Sequence, residues 1–170
     1  MEPSKLNNMT AAILFQIIAI LLTGLIAGLF YGYDCSIIKG LGNLPDREYL
    51  GAFKSINRAI LNPYFFISFM GSMLVLPIAV WLSYKGAGTI SCYLLAAATI
   101  VYGVGVFGVT ILGNVPLNNL VERFDIQAAS QADVQALRQK FEASWNKLHH
   151  IRTYANILSF LLTIISLVKR

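Results

Sequence analysis

The sequence predicts an all-α, polytopic membrane protein: a four-helix bundle with two amphipathic loop helices on one face. Of its 170 residues, 56% are hydrophobic and 12% are charged. The mean hydropathy is +0.64, well to the apolar side of an ordinary globular composition. The apolar residues gather into four blocks, at 9–33, 64–84, 90–112 and 151–168, each near the roughly 20 residues that cross a bilayer core. None of these blocks contains Lys, Asp or Glu.

The first block runs past the length of a signal peptide's apolar region and lacks a small-residue cleavage site, so it reads as a retained helix. Gly24, Gly28 and Gly32 recur every four residues along it, a strip on which a neighbouring backbone can pack closely. Gly103, Gly105 and Gly108 of the third block offer a partner, and the second block carries Gly71 and Ser72 near its middle. After the first block, Leu44, Pro45 and Asp46 start a helix that places Leu50, Phe53, Asn57 and Ile60 on one face. An amide inside that apolar stripe needs a buried polar partner or a ligand, whereas Arg58 turns to the wetter side. Asn62 and Pro63 break the pattern, and Pro63 can open the second span. Residues 85–89 between the second and third spans allow only a tight turn, which points to a single domain over residues 1–170.

Beyond the third span, Asn114, Val115, Pro116, Leu117 and Asn118 read as a structured turn at the membrane exit. Ser130 and Asp133 form a capping pair, and Val134, Leu137, Phe141, Trp145 and Leu148 follow at helical spacing with no breaker before Val168. A continuous helix there is roughly 57 Å long, and well over a third of it projects beyond the bilayer core. Steps of four from Leu148 reach Arg152 and Asn156, with His149 beside them. The phase therefore turns Arg152 inward, where a guanidinium must pair with a carboxylate or meet an anionic group.

Four spans put both termini on one side. Lys5, Lys85, Lys169 and Arg170 crowd the face with the short tails and turn, so cytoplasmic termini in a bacterial inner membrane are expected. Lys and Arg are otherwise interspersed with carboxylates, so the formal charge of +5 points to no nucleic-acid partner. Cys35 and Cys92 fall near opposite membrane faces, and no bridge between them is expected.

The unusual polar and aromatic residues share one membrane face: Tyr31, Tyr33 and Asp34; Asn57 and Asn62; Asn114 and Asn118; Trp145, His149, Arg152, Tyr154 and Asn156. This asymmetry predicts a pocket on the long-loop side for a lipophilic small molecule, with polar groups fixing a mostly apolar ligand. The bland alternative makes the aromatics an interfacial belt, the asparagines helix caps, and Asp34 with Arg152 a static ion pair. No CxxC, HExxH, nucleotide-binding glycine loop or GxSxG occurs, so no metal site and no nucleotide cofactor are expected. His149 and His150 lie about 100° apart on a helix and cannot both face one ion without distortion. Imidazole can serve as a general base near neutral pH.

The run Ile56 to Ile60 with Asn62, Pro63, Tyr64 and Phe65, then Asn114 to Asn118, then Trp145 to Thr153, resembles the anthrone oxygenase-like integral membrane family. Ala27 to Phe30, with Gly40 and Leu41, extends the likeness over nearly the whole chain, and it is to the bacterial type of member. The resemblance implies four membrane helices and, from some fungal members, oxidation of anthrones to anthraquinones by molecular oxygen without metal or flavin. His149 departs from the family pattern, since many members have asparagine there. On this basis His149 or Asp34 would take a proton, and Arg152 with Asn57, Asn114 and Asn118 would stabilise an enolate oxygen. Trp145 and Tyr33 would wall a flat ring, with Asn62 and Asn156 as further substrate contacts.

Two other classes compete. A non-enzymatic module would bind a lipid or lipophilic molecule in the same pocket and retain it. A transporter or channel would need a polar path through the midplane, which the apolar middles of the blocks argue against. A homo-oligomer through the Gly24, Gly28 and Gly32 strip is compatible with each reading.

Overall fold

The computed structural model describes the backbone of residues 3–86 and 89–170, and the side chains of residues 9–84 and 90–170. Residues 87–88 of the expected tight turn lie outside the described residues. Five continuous helices form, with no strand among the described residues: α1 (residues 3–42), α2 (Asp46–Ile60), α3 (Pro63–Gly86), α4 (residues 89–123) and α5 (Gln131–Val168). Helices α1, α3, α4 and α5 are each long and apolar enough to cross a bilayer. The chain is thus an all-α, multi-pass membrane protein. Both α1 and α4 pack against α3 and α5, so α1 and α4 stand on opposite corners of the bundle.

Helices α1 and α4 run further than the sequence predicts. Helix α1 continues to Gly42 through a π turn at Tyr33–Ile37, where the Ile38 N–H bonds to the Tyr33 carbonyl. Helix α4 runs straight through the expected turn at Asn114 to Asn118. Its segments Val101–Gly108 and Thr110–Asn114 are π-helical, and the Val115 N–H reaches back to Thr110. Pro116 then stands in the first turn of Val115–Arg123. The widened turn leaves room for the proline ring and its missing N–H, which a regular helix interior does not tolerate.

Helix α5 is continuous over 38 residues. Ser130 caps it, accepting from the Asp133 N–H at 3.2 Å and donating to the Asp133 carboxylate at 2.6 Å. Its N-terminal half meets α2 outside the bundle, where Tyr49, Leu50, Phe53, Phe141 and Trp145 are buried together. Each large side chain there stabilises the cap by about 1.5–3 kcal/mol. Arg138 ties α5 to the α1–α2 connection: it donates to the Leu44 carbonyl at 2.7 Å, the Gly42 carbonyl at 2.9 Å and Asp46 Oδ1 at 3.0 Å. Asn62 serves the start of α3. Asn62 accepts from the Phe65 N–H at 3.1 Å and donates to the Ala59 carbonyl at 2.9 Å.

The bundle centre is less uniformly apolar than the hydropathy suggests. Gln16 donates to Ser91 at 3.2 Å, Asn156 to the Thr23 carbonyl at 3.3 Å, and Ser159 to the Ala98 carbonyl at 2.9 Å. Thr163, one turn after Ser159, satisfies its hydroxyl on the Ser159 carbonyl at 2.8 Å. The bonds of Gln16, Asn156 and Ser159 join helices, the work of interhelical glue, while the Asn156 Oδ1 atom stays buried without a partner among the described residues.

The glycine strips of α1 and α4 do not meet, contrary to the sequence-based expectation, because the two helices stand diagonally. Gly24 faces Phe160, and Gly105 faces Ala155, both on α5, while Gly28 and Gly32 have open space where a Cβ would sit. A Cβ on Gly105 would lie 2.6 Å from the Ala155 Cβ, so Gly105 is required for close α4–α5 packing. Gly105→Val is expected to cost about 1–3 kcal/mol by overpacking, read as a lower thermal midpoint in nanodiscs. Gly28→Ala is expected to leave that midpoint unchanged.

Candidate functional site

Where the bundle meets its cap, the helices leave a cavity of about 390 Å³. Helix α1 contributes Phe30, Tyr33 and Ile37, α2 contributes Phe53, Ile56, Asn57 and Ile60, and α3 contributes Phe65 and Phe69. Thr110, Val115 and Asn118 of α4 and Trp145, His149 and Arg152 of α5 complete the wall. Both the π turn of α1 and the second π segment of α4 fall at this level, so the widened turns set Tyr33 and Thr110 on the wall. The rim carries the exposed apolar side chains of Leu61, Phe66, Met70 and Ile111.

Arg152 is the charged residue of the wall, and only 9% of it is exposed. No carboxylate lies within ion-pair distance of it among the described residues. Its guanidinium rests instead on neutral partners. The Cζ atom sits 4.4 Å from the centre of the Phe30 ring and 5.3 Å from that of Trp145, within range of cation–π attraction. Nε and Nη2 lie 3.0 and 2.8 Å from His149 Nδ1, and Nη1 lies 3.5 Å from the Thr110 hydroxyl. A guanidinium only donates, so Nδ1 carries a lone pair, and a neutral His149 holds its proton on Nε2.

Aromatic contacts lock that imidazole. Trp145 stacks on it at 5.0 Å with the planes 8° apart, and Tyr33 stands 5.0 Å away. Trp145 is itself fixed by donating its Nε1 proton to Asn118 Oδ1 at 2.7 Å. On the far side, His149 Nε2 lies 3.3 Å from the Phe30 carbonyl and 3.4 Å from Asp34 Oδ1.

The structure therefore brings together seven of the residues singled out from the sequence. Tyr33, Asn57, Asn118, Trp145, His149 and Arg152 line the cavity, and Asp34 stands directly behind His149. Asn57 has no hydrogen-bond partner among the described residues. Three others stand off the cavity wall. Asn62 closes the α2–α3 turn, and Asn156 joins α5 to α1 inside the bundle. Asn114 is buried beneath the site, with its amide 3.4 Å from the Trp145 carbonyl. Asp34 does not pair with Arg152: its Oδ1 lies 2.9 Å from His150 Nδ1. The neighbouring imidazoles, despite their angular separation on the helix, thus converge on one carboxylate oxygen. Sequence reasoning missed Phe30 and Thr110, although a hydroxyl within the third apolar block was a visible signal for the latter.

The anthrone oxygenase family model matches residues 65–162. The chain belongs to the anthrone oxygenase family. The matched stretch carries Thr110, Asn118, Trp145, His149 and Arg152, while the preceding residues supply Phe30, Tyr33, Asp34 and Asn57 of the same site in this family member. No curated protein and no solved structure matches the chain.

A guanidinium buried without a direct ion pair is expected to weaken the fold or leave it unchanged, since apolar replacements of buried charges are often neutral or stabilising. Arg152→Met should therefore keep or raise the thermal midpoint of the apo protein in nanodiscs. A loss exceeding about 3 kcal/mol would show that Arg152 is a structural staple.

Proposed function

We propose that this protein is an oxygenase acting on a flat, lipophilic substrate that carries an acidic C–H beside a carbonyl. The observation that carries this reading is the Arg152 guanidinium, buried at an apolar cavity with no carboxylate in direct contact among the described residues, Asp34 standing behind the His149 ring. Such a site favours a ligand that becomes an anion inside it, and an enolate is the anion such a substrate makes. The cavity volume is within the usual range for small-molecule sites, and Trp145 and Tyr33 present ring faces to a planar guest.

The chemistry follows from the wall. His149 Nδ1 faces the cavity and is the base on offer once Arg152 transfers its N–H groups to the substrate oxygen. The C–H bond breaks toward Nδ1, and the electron pair delocalises into the carbonyl, where Arg152 and the Asn57 amide stabilise the oxyanion. The electron-rich enolate passes an electron to dioxygen, the radical pair joins as a C–O bond, the peroxide takes back the proton held by His149, and loss of water leaves a second carbonyl. The balance is one CH2 and one O2 giving one C=O and one H2O. Membership of the anthrone oxygenase family supports this reaction class for the cavity.

Oxygen consumption in nanodiscs with anthrone tests the assignment. Turnover is expected, and Arg152→Ala should lower kcat/KM by about 100-fold or more, as for removal of an oxyanion donor. Anthrone bound without oxygen uptake would contradict the oxygenase and leave a lipophile-binding module, a reading favoured by the predominantly apolar wall.

A further inference from the structure

We propose that His149, Asp34 and His150 form a proton outlet leading from the cavity to the aqueous face. The proposal rests on the reading of the cavity as a site where a ligand ionises. At its inner end, His149 Nδ1 lies against Arg152 on the cavity wall, while Nε2 points away from the cavity, 3.4 Å from Asp34 Oδ1. That oxygen is buried and accepts no well-formed hydrogen bond among the described residues. The same oxygen lies 2.9 Å from Nδ1 of His150, whose side chain is 49% exposed. Two imidazoles, one on the cavity wall and one half in the open, thus share a single acceptor.

The depth of the group agrees with this role. A helix crosses the bilayer core in roughly 20 residues, and that length counted back from Val168 ends at His149. His150 therefore stands at the membrane boundary, where water and buffer reach it. An orienting carboxylate for His149 would have no need of a second imidazole on the same oxygen. Among the described residues, the other titratable or charged groups in contact with the file are Tyr33 on α1 and Arg152 on α5.

The transfer balances without a redox partner. The ligand's acidic bond breaks, its electron pair stays on the ligand, and the anion takes the Arg152 N–H groups from His149. The proton bonds to His149 Nδ1, the Nε2 proton moves to the Asp34 carboxylate, and Asp34 passes a proton to His150 Nδ1. His150 then loses its Nε2 proton to water or buffer. One proton leaves the cavity for each anion formed there, and one returns through the same groups when the anion is consumed by oxygen.

The test uses the full chain in nanodiscs, without oxygen, mixed rapidly with a lipophilic nitrophenol in weak buffer at a pH where that phenol is mostly neutral in water. A pH indicator follows the proton, and the phenolate colour follows the ligand. Wild type should release a proton as colour appears. Asp34→Asn and His150→Ala should slow both signals at least about tenfold, with the equilibrium affinity of His150→Ala kept. Added imidazole should restore the rate of His150→Ala and leave Asp34→Asn slow. Proton release at the wild-type rate in both variants overturns the outlet alone. Binding to wild type without proton release overturns the ionising cavity and, with it, the outlet.

Discussion

A positive charge held out of water at the edge of a bilayer, with no carboxylate in direct contact and the nearest one set behind an imidazole ring, is the constraint around which this protein is arranged. Isolating such a charge costs several kcal/mol, and the structure offsets that cost with weak, neutral contacts: two aromatic faces, an imidazole lone pair and one hydroxyl. None of these is as strong as the carboxylate that buried arginines ordinarily find. An anion entering the cavity therefore gains more from Arg152 than the resting protein does, and this difference is what binding or catalysis can use.

Much of the scaffold holds that arrangement in place. The unbroken α5 carries Trp145, His149 and Arg152 on one face, so their relative positions are set by helix geometry alone. The cap formed by α2 and the first half of α5 roofs the cavity, and Arg138 fastens the α1–α2 connection onto the same helix. The π turns of α1 and α4 swing Tyr33 and Thr110 to the level of Arg152, an example of widened turns at a site where regular helix would misplace a side chain.

The spans and the length of α5 were legible because block length and the absence of breakers between Ser130 and Val168 allow few alternatives. The inward phase of Arg152 was legible for the same reason, since steps of four on a continuous helix cannot drift far. The π turns were not, because hydropathy is blind to whether a turn closes on the fourth or the fifth residue; Pro116 therefore read as a turn when it stands inside a helix. Asparagine was ambiguous by nature. Asn57 and Asn118 face the cavity, Asn62 closes a turn and Asn156 joins two helices, yet each carries the same amide. The diagonal placement of α1 and α4 depends on the order of packing around the bundle, which glycine spacing does not encode.

The most direct test of the buried, unpaired guanidinium's preference for an anion is a pH titration of a lipophilic nitrophenol bound to the oxygen-free protein, read from the phenolate absorbance. The account predicts a bound pKa at least about one unit below the value in water, or about 1.4 kcal/mol in favour of the anion, and loss of that shift in Arg152→Met. A bound phenol that titrates at or above its value in water would contradict it.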